Sequence, residues 1–144
     1  MQTGATATRR IRVNGVRAQG DRPMARILVF DDDKEMRDAV RAILEEAGHE
    51  VEEAPDGVRG LSLYRAAPSE IVITDIRMPK KTGHETILEL RAQFPHVKII
   101  AMSGGGTVGV DLYMQVARKL GADVALSKPF APDELLSAVR SLAS

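Results

Sequence analysis

Three hydrophobic runs of this 144-residue sequence end in charged side chains that together indicate a metal site with a reactive aspartate. The first run is followed by Asp31, Asp32 and Asp33, the second by Asp75, and the third by Lys128. Because open α/β sheets form their ligand sites at the carboxyl ends of strands, we expect Asp31, Asp32 and Asp75 to lie together. Oxygen ligands favour a hard cation such as Mg²⁺. We interpret Asp33 as the N-cap of the helix that follows.

Asp75 beside a metal ion has a second possible role. A carboxylate in that position can act as a nucleophile and form an aspartyl phosphate. Lys128 supplies a positive charge for one phosphoryl oxygen. The hydroxyl of Ser103, at the end of another hydrophobic run, is suited to donate to a further phosphoryl oxygen. A cis peptide between Lys128 and Pro129 would direct the lysine inward.

Strands and helices alternate from residue 25 onward. We predict strands at 26–30, about 50–54, 71–74, 97–102 and 123–127, and helices at 34–47, about 57–67, about 84–94, about 111–120 and 132 to about 142. The helical period predicts these inward positions: Met36, Val40, Ile43, Leu44 and Ala47, then Val58, Leu61 and Tyr64, then Ile87, Leu88 and Phe94. Five alternating pairs indicate an α/β fold with a parallel sheet covered on both faces.

Two other features are not assigned to this chemistry. The run Gly104-Gly105-Gly106 lacks the Gly-Lys-Ser/Thr continuation of a P-loop, so we interpret it as a mobile loop. None of His49, His84 and His96 ends a predicted strand. We therefore interpret the three histidines as surface residues rather than as internal phosphoryl donors.

Composition narrows the class of protein. The chain has 44% hydrophobic and 28% charged residues, 3% aromatic residues and no Cys, which is typical of one globular domain in a reducing compartment, here taken as the cytoplasm. The scarcity of aromatics disfavours a base-stacking surface. Residues 24–144 carry 15 basic and 19 acidic residues, a poor balance for direct nucleic-acid binding. No apolar stretch approaches the roughly 20 residues that span a bilayer.

Residues 1–24 are interpreted separately, as an extension of the domain that begins at residue 25. Residues 1–23 contain five Arg and one acid and show no hydrophobic period. A transit peptide or a nucleic-acid-binding arm would have this composition. We favour a disordered extension, or a start codon assigned too early, because Met24 directly precedes the first strand.

The chain from about 25 to 144 resembles the receiver domain of two-component response regulators. The matching motifs are Ile27-Leu28-Val29-Phe30-Asp31-Asp32, Thr74-Asp75-Ile76-Arg77-Met78-Pro79 with Gly83 four residues later, Met102-Ser103-Gly104, and Lys128-Pro129-Phe130. Each motif is weak alone, but their order and spacing make the set specific. The resemblance implies a flavodoxin-like, doubly wound sheet of five parallel strands in the order 2-1-3-4-5, with five helices.

The resemblance also implies a role for each site residue. The implied Mg²⁺ ligands are Asp31 (through water), Asp32, Asp75 and the main-chain carbonyl of Arg77. Asp75 would be the phosphoacceptor, Ser103 the switch hydroxyl and Lys128 the residue that holds the phosphoryl group. The donor would be a phosphohistidine on a sensor histidine kinase or a histidine phosphotransfer protein.

Some positions depart from the family pattern. Receivers usually carry Tyr or Phe three residues before the lysine, the ring that moves inward on activation, and this chain has Ala125 there. The two side chains that tune the lifetime of the phosphorylated state in the family are Arg77 and Gly105 here, and they do not predict that lifetime. The glycine run and Ala125 together are typical of a variant subgroup of stand-alone receivers.

We therefore expect a single-domain response regulator, a monomer or weak dimer, without an attached output domain. It would catalyse only its own phosphorylation and dephosphorylation. Phosphorylation of Asp75 would shift the face formed by the last two helices and the last strand, and that face would bind a downstream protein target.

Two other functions remain open. A metal-dependent phosphatase with an aspartyl-phosphate intermediate would explain the spacing of Asp31 and Asp33, but the chain lacks room for a substrate-binding cap, and Asp75 is left unexplained. A phosphorylation-independent interaction module on the same fold is disfavoured by the intact acidic site.

Overall fold

The structure is a computed structural model that describes residues 24–104 and 110–143. The predictions for residues 1–23 and for Gly105 and Gly106 lie outside these residues. The elements, in chain order, are β1 (Arg26–Phe30), α1 (Lys34–Glu46), β2 (Glu50–Ala54), α2 (Gly57–Ala66), β3 (Ile71–Asp75), α3 (Gly83–Gln93), β4 (Lys98–Ser103), α4 (Val110–Leu120), β5 (Val124–Ser127) and α5 (Pro132–Leu142).

The sheet has the strand order β2-β1-β3-β4-β5, and every pairing in it is parallel. The predicted flavodoxin-like order is therefore confirmed. β3 is one residue longer than predicted, and β4 begins and ends one residue later. As a result, Asp75 and Ser103 are the last residues of their strands rather than the first residues after them.

The core is divided by the sheet. Ile27 and Val29 of β1 belong to one hydrophobic cluster, which includes residues of α1 and α5. Leu28 and Phe30 belong to a second cluster, which includes residues of α2, α3 and α4. A strand that is buried on both faces has hydrophobic residues at successive positions, and this explains the uninterrupted apolar runs in the sequence.

The inward faces of two helices differ from the sequence prediction. Val58 is 52% exposed and Leu88 is 55% exposed, although both were predicted to be buried. In α2 the glycine at position 60 lies inward, where a Cβ would be 2.7 Å from the ring of Phe30. In α3 the polar Thr86 lies inward. The buried faces are marked by small and polar residues, which hydrophobic periodicity does not register.

The other predicted helical positions agree more closely. The residues found buried or packed against the core are Met36, Val40, Ile43, Leu44, Leu61, Tyr64, Ile87 and Phe94. Ala47 is exposed, contrary to prediction, because α1 ends one residue earlier and Ala47 is its C-cap. The rings of Tyr64 and Phe94 meet edge to face, with centroids 4.7 Å apart. None of the helices described is long and apolar enough to cross a bilayer.

Candidate functional site

A cluster of carboxylates lies at the carboxyl ends of β1 and β3. One oxygen from each of Asp31, Asp32 and Asp75 lies within 4.8 Å of the other two. Asp31 is 0% exposed and Asp75 is 6% exposed, whereas Asp32 is exposed. The structure thus brings together the three carboxylates that the sequence grouped. An all-oxygen set of this size could hold a hard cation.

Asp33 has a different role from its two neighbours. Its Oδ1 accepts a hydrogen bond from the main-chain N–H of Glu35 at 3.0 Å and from that of Met36 at 3.4 Å. Asp33 is the N-cap of α1, as the sequence indicated. Oδ1 of its carboxylate is therefore engaged by the first turn of the helix.

Lys128 connects the end of β5 to the carboxylate cluster. Its Nζ lies 3.0 Å from Oδ2 of Asp31 and 3.1 Å from Oδ1 of Asp75. The peptide between Lys128 and Pro129 is cis, as the sequence interpretation suggested. Lys128 also donates its main-chain N–H to the carbonyl of Ser103 at 2.8 Å, so the ends of β4 and β5 are joined next to the site.

Burial and charge together set the protonation of this cluster. Burial raises the pKa of Asp75 to about 6, the neighbouring charge of Asp31 adds to this rise, and the ammonium of Lys128 opposes it. Burial alone would lower the pKa of Lys128, but its hydrogen bond to Asp31 and the charges of both carboxylates raise that pKa above its usual value. Near neutral pH, Asp75 is therefore mostly ionised and Lys128 is charged.

Asp31 has a partner for each of its polar groups. Its N–H donates to the carbonyl of Ala54 at 3.1 Å, and its Oδ1 accepts from the N–H of Asp33 at 2.9 Å. Its carbonyl oxygen accepts from Nη1 of Arg37 at 2.6 Å, and its Oδ2 accepts from Lys128. Arg37 was not among the site residues predicted from the sequence. Its position one turn into α1 could have indicated this contact. Helix side chains tilt toward the N-terminus, which directs this guanidinium toward the loop after β1.

Ser103 is the residue of β4 that was predicted to donate to a phosphoryl oxygen. It is 3% exposed and pairs in register with Ser127 of β5. Gly104 follows it, and a Cβ at that position would lie 3.3 Å from Cδ of Lys128. The end of β4 therefore lies against the lysine side chain, on the same edge of the sheet as the carboxylates.

A close approach of α3 fixes the main chain around Asp75. A Cβ at Gly83, the first residue of α3, would lie 2.2 Å from the carbonyl oxygen of Asp75. The N–H of Gly83 donates to the carbonyl of Ile76 at 2.8 Å, and the hydroxyl of Thr74 donates to the carbonyl of Asp75 at 3.0 Å. Only a glycine allows the helix to begin this close to the strand end.

A groove of about 550 Å³ opens beside the cluster. Its lining residues are Asp32, Ile76, Arg77, Met78, Pro79, Thr82, His84 and Tyr113. The guanidinium carbon of Arg77 lies 5.5 Å from the centroid of the Tyr113 ring, and Nε2 of His84 lies 3.1 Å from the carbonyl oxygen of Tyr113. The loop after β3 and the first turn of α3 are thereby connected to α4.

The three histidines differ in their surroundings. His96 is exposed, as expected. His84 is half-buried in the groove, and His49 is half-buried with Nδ1 accepting from the N–H of Ala25 at 3.1 Å. Burial lowers the pKa of His49. His49 and His84 are therefore only partly exposed, and a ring nitrogen of each is engaged by the main chain.

Comparison with known proteins gives a consistent result. The sequence profile of the response regulator receiver domain matches residues 27–140. The chain is 36% identical over 117 residues to a response regulator MprA of Mycobacterium sp. (strain KMS), and the match covers 81% of this chain and 50% of that protein. The chain thus spans about half the length of the MprA relatives that it matches.

Solved structures with the same fold include one of similar size to this chain and one much larger. The chemotaxis protein CheY4 of Vibrio cholerae superposes with a TM-score of 0.74 at 32% identity, over 83% of this chain and 99% of that one. NtrX from Brucella abortus superposes with a TM-score of 0.77 at 29% identity, over 83% of this chain and 27% of that one.

Proposed function

The chain belongs to the response regulator receiver domain family, and on that premise we propose that Asp75 accepts a phosphoryl group from a phosphohistidine in a Mg²⁺-dependent reaction. The observation that carries the proposal is the buried carboxylate of Asp75 at the end of β3, in contact with Lys128 and grouped with two further carboxylates. Residues 25–144 form the receiver domain in this proposal.

The residues of the site fit Mg²⁺. The donor set is Asp31, Asp32 and Asp75, with the main-chain carbonyl of Arg77 as a further oxygen. All of these oxygens are hard ligands. Because Asp32 is exposed, one side of the cluster is open to solvent, and Mg²⁺ in protein sites usually keeps several bound water molecules. When bound, the ion would neutralise charge between carboxylate and phosphoryl oxygens.

The proposed step transfers one phosphoryl group between protein side chains. A carboxylate oxygen of Asp75 forms a bond to phosphorus while the bond from phosphorus to the imidazole nitrogen of the donor breaks. The electron pair of that bond stays on the imidazole nitrogen, and the ring leaves as neutral imidazole because its other nitrogen carries a proton. The pKa of Asp75 at about 6 keeps the nucleophile ionised at neutral pH.

Lys128 and Ser103 would hold the transferred group. The Lys128 ammonium already contacts Asp75, so it is in place to bind a phosphoryl oxygen there. The Ser103 hydroxyl would donate to another phosphoryl oxygen. Because the N–H of Lys128 is bonded to the carbonyl of Ser103, a movement of either residue is transmitted to both β4 and β5.

Phosphorylation would change the surface used by partners. It adds about −1.5 to −2 charge at Asp75, and we place the response in the face formed by α4, β5 and α5. Ala125 is buried on β5 where the family usually has an aromatic ring, so the response does not depend on that ring. This face would bind a downstream protein target.

The partners in the proposal are those of a receiver domain. The donor is a sensor histidine kinase or a histidine phosphotransfer protein, and neither a nucleic acid nor a membrane is a direct partner. We place the protein in the cytoplasm as a monomer or weak dimer. The sequence-based description of a stand-alone regulator stays a prediction.

Acetyl phosphate tests the proposal directly. Incubation with Mg²⁺ should add the mass of one phosphoryl group to the intact protein, and EDTA should prevent it. Asp75→Asn should not gain this mass, whereas Asp33→Asn should, because Asn replaces Asp as an N-cap and lies outside the cluster. A gain that survives in Asp75→Asn would show that the acceptor is elsewhere. Repeated turnover of an aryl phosphate ester would favour the phosphatase instead.

A further inference from the structure

Asp32 differs from the other two carboxylates of the cluster in what holds it. Asp31 and Asp75 are buried and bonded to Lys128. Asp32 is exposed, and within residues 24–104 and 110–143 no side chain or N–H donates to its carboxylate. The position from which the Asp32 side chain extends is therefore set by its main chain, including the peptide that joins it to Asp31.

That peptide is held by Arg37. Nη1 of Arg37 donates to the carbonyl oxygen of Asp31 at 2.6 Å. This carbonyl belongs to the Asp31–Asp32 peptide, so its orientation and the starting direction of the Asp32 side chain are coupled through one planar unit. The guanidinium thus contacts the main chain next to the cluster and, among the described contacts, none of the three site carboxylates.

Arg37 is itself fixed from the other side. Its Nε donates to Oε1 of Glu53 on β2 at 3.0 Å, and both side chains are mostly buried, with exposures of 14% and 18%. The planar fork of an arginine can bind two acceptors in a fixed relative geometry. Arg37 therefore holds the loop after β1 at a set distance from β2.

We propose that Arg37 is a positioning residue for Mg²⁺ binding, which orients Asp32 toward the cluster by holding the Asp31–Asp32 peptide against Glu53. This inference rests on the proposed function, because it assumes that the cluster binds Mg²⁺. Loss of a group that orients metal ligands typically weakens metal binding by about 10- to 100-fold. Arg37→Gln should fall in that range, since glutamine can replace neither the charge nor the fork.

Arg41 provides a matched control. It lies one turn further along α1 and donates from Nη1 to Oε2 of the same Glu53 at 2.8 Å, but it does not contact Asp31. Arg41→Gln removes the same charge and the same kind of bond to Glu53. It should leave the Mg²⁺ affinity within about twofold of that of the unsubstituted protein.

The experiment is a calorimetric titration of each variant of the 144-residue chain with MgCl₂, followed by phosphorylation with acetyl phosphate at rising Mg²⁺. For Arg37→Gln we expect a raised Kd for Mg²⁺ and a shifted half-saturation point, with the plateau rate restored at saturation. A merely structural role would lower stability without shifting the half-saturation point. Equal Kd values for Arg37→Gln, Arg41→Gln and the unsubstituted protein would overturn the inference.

Arg37→Lys keeps the test decisive if Arg37→Gln does not fold. A lysine retains the charge, but its single ammonium cannot reproduce the fixed fork, so we expect weakened Mg²⁺ binding here as well. An unchanged Kd in Arg37→Lys would overturn the inference. If the unsubstituted protein itself binds no Mg²⁺, the failure belongs to the proposed function.

Discussion

Nζ of Lys128 lies 3.1 Å from Oδ1 of Asp75, the carboxylate proposed to accept the phosphoryl group. Among the described strands, β5 pairs only with β4, so this side chain is what connects β5 to the end of β3. The same ammonium contacts Asp31. Lys128 therefore balances the charge of two buried carboxylates, and we expect its contact with Asp75 to change if Asp75 is phosphorylated.

Replacement of Lys128 by methionine should destabilise the metal-free protein. It removes the counter-charge of two buried carboxylates, and we expect the free energy of unfolding at pH 8 to fall by about 3 kcal/mol. Protonation of Asp75 limits the loss. Urea denaturation in EDTA measures it. Lys34→Met is the control, because the pair of Lys34 with Asp38 is exposed and should contribute less than about 0.5 kcal/mol. Equal losses in the two variants would contradict the central position of Lys128.

The pKa of Asp75 predicts an unusual pH dependence. Its value of about 6 in the folded protein lies above the 3.8 of an unperturbed carboxyl, so the folded state binds this proton more tightly than the unfolded state. Stability from this group is therefore lost as pH rises from about 4 to 6 and is constant above that. Asp75→Asn should be more stable than the unsubstituted protein by about 3 kcal/mol at pH 7 without metal.

The sign can be checked against a carboxylate with the opposite shift. The pKa of Glu53 is lowered, mainly by its hydrogen bond from Arg41, so its contribution is present at neutral pH and lost in acid. Glu53→Gln should thus destabilise the protein at pH 7, and the deficit should shrink as the pH falls below 4.5, the unperturbed pKa of a glutamate. Denaturation from pH 4 to 8 gives the unfolding free energy of each variant relative to that of the unsubstituted protein. As the pH rises, this difference should become more favourable for Asp75→Asn and less favourable for Glu53→Gln. Parallel curves would show that Asp75 is not perturbed.

Binding of Mg²⁺ should stabilise the protein through Asp32. A ligand at ten times its Kd adds about 1.4 kcal/mol, which corresponds to a rise of about 5 °C in Tm for a domain of this size. Asp32→Asn should fold normally, because this side chain is exposed, and should lose the rise. Asp33→Asn, which keeps the N-cap, should retain it. Thermal melts with MgCl₂ and with EDTA distinguish the two, and a full rise in Asp32→Asn would exclude Asp32 as a ligand.

Much of the site could be predicted because its residues end strands. Asp31, Asp75 and Lys128 each follow a run of hydrophobic residues, and the carboxyl ends of parallel strands lie on one edge of the sheet. No detailed packing was needed to group them. The strand order, by contrast, was inferred from the family resemblance, because the alternation of elements does not specify which strands are neighbours.

The contacts behind the site could not be predicted in this way. Whether Arg37 reaches the Asp31 carbonyl depends on how α1 is rotated against β1. The sequence alone does not show which of the charged residues of α1 faces that carbonyl. The predicted inward faces of α2 and α3 were wrong for a related reason. Val58 and Leu88 are exposed, whereas Gly60 and Thr86 take inward positions, and at Gly60 the ring of Phe30 leaves no room for a side chain.

The start of α3 depends on the absence of a side chain at position 83. An added Cβ would lie 2.2 Å from the carbonyl oxygen of Asp75, so Gly83→Ala must displace either α3 or the end of β3. We expect a loss of about 2–4 kcal/mol in unfolding free energy, although alanine is ordinarily the better helix former. Ser62→Ala, on the exposed side of α2, should change stability by less than about 0.5 kcal/mol. A neutral Gly83→Ala would show that the loop relaxes freely.

The contact between Arg77 and Tyr113 links the loop after Asp75 to α4. The guanidinium lies 5.5 Å from the ring centroid, within the range of a cation–π interaction, which contributes about 0.5–1 kcal/mol at an exposed site. The Tyr113 ring on α4 lines the groove beside the carboxylates, whereas β5 carries Ala125 rather than an aromatic residue. A double-mutant cycle of Arg77→Gln and Tyr113→Leu should show a coupling energy of that size by urea denaturation.

The hydrogen bond between His84 and the Tyr113 carbonyl uses the main chain and so survives Tyr113→Leu, which confines the cycle to the ring. Combining Tyr113→Leu with Arg65→Gln serves as the reference, since Arg65 pairs with Glu89 away from the ring and the two effects should add. Phosphorylation that repositions Arg77 should change the Arg77–Tyr113 coupling in acetyl phosphate and Mg²⁺ while leaving the reference pair additive. A coupling of zero in both conditions would mean that α4 responds to Asp75 by a route other than this ring.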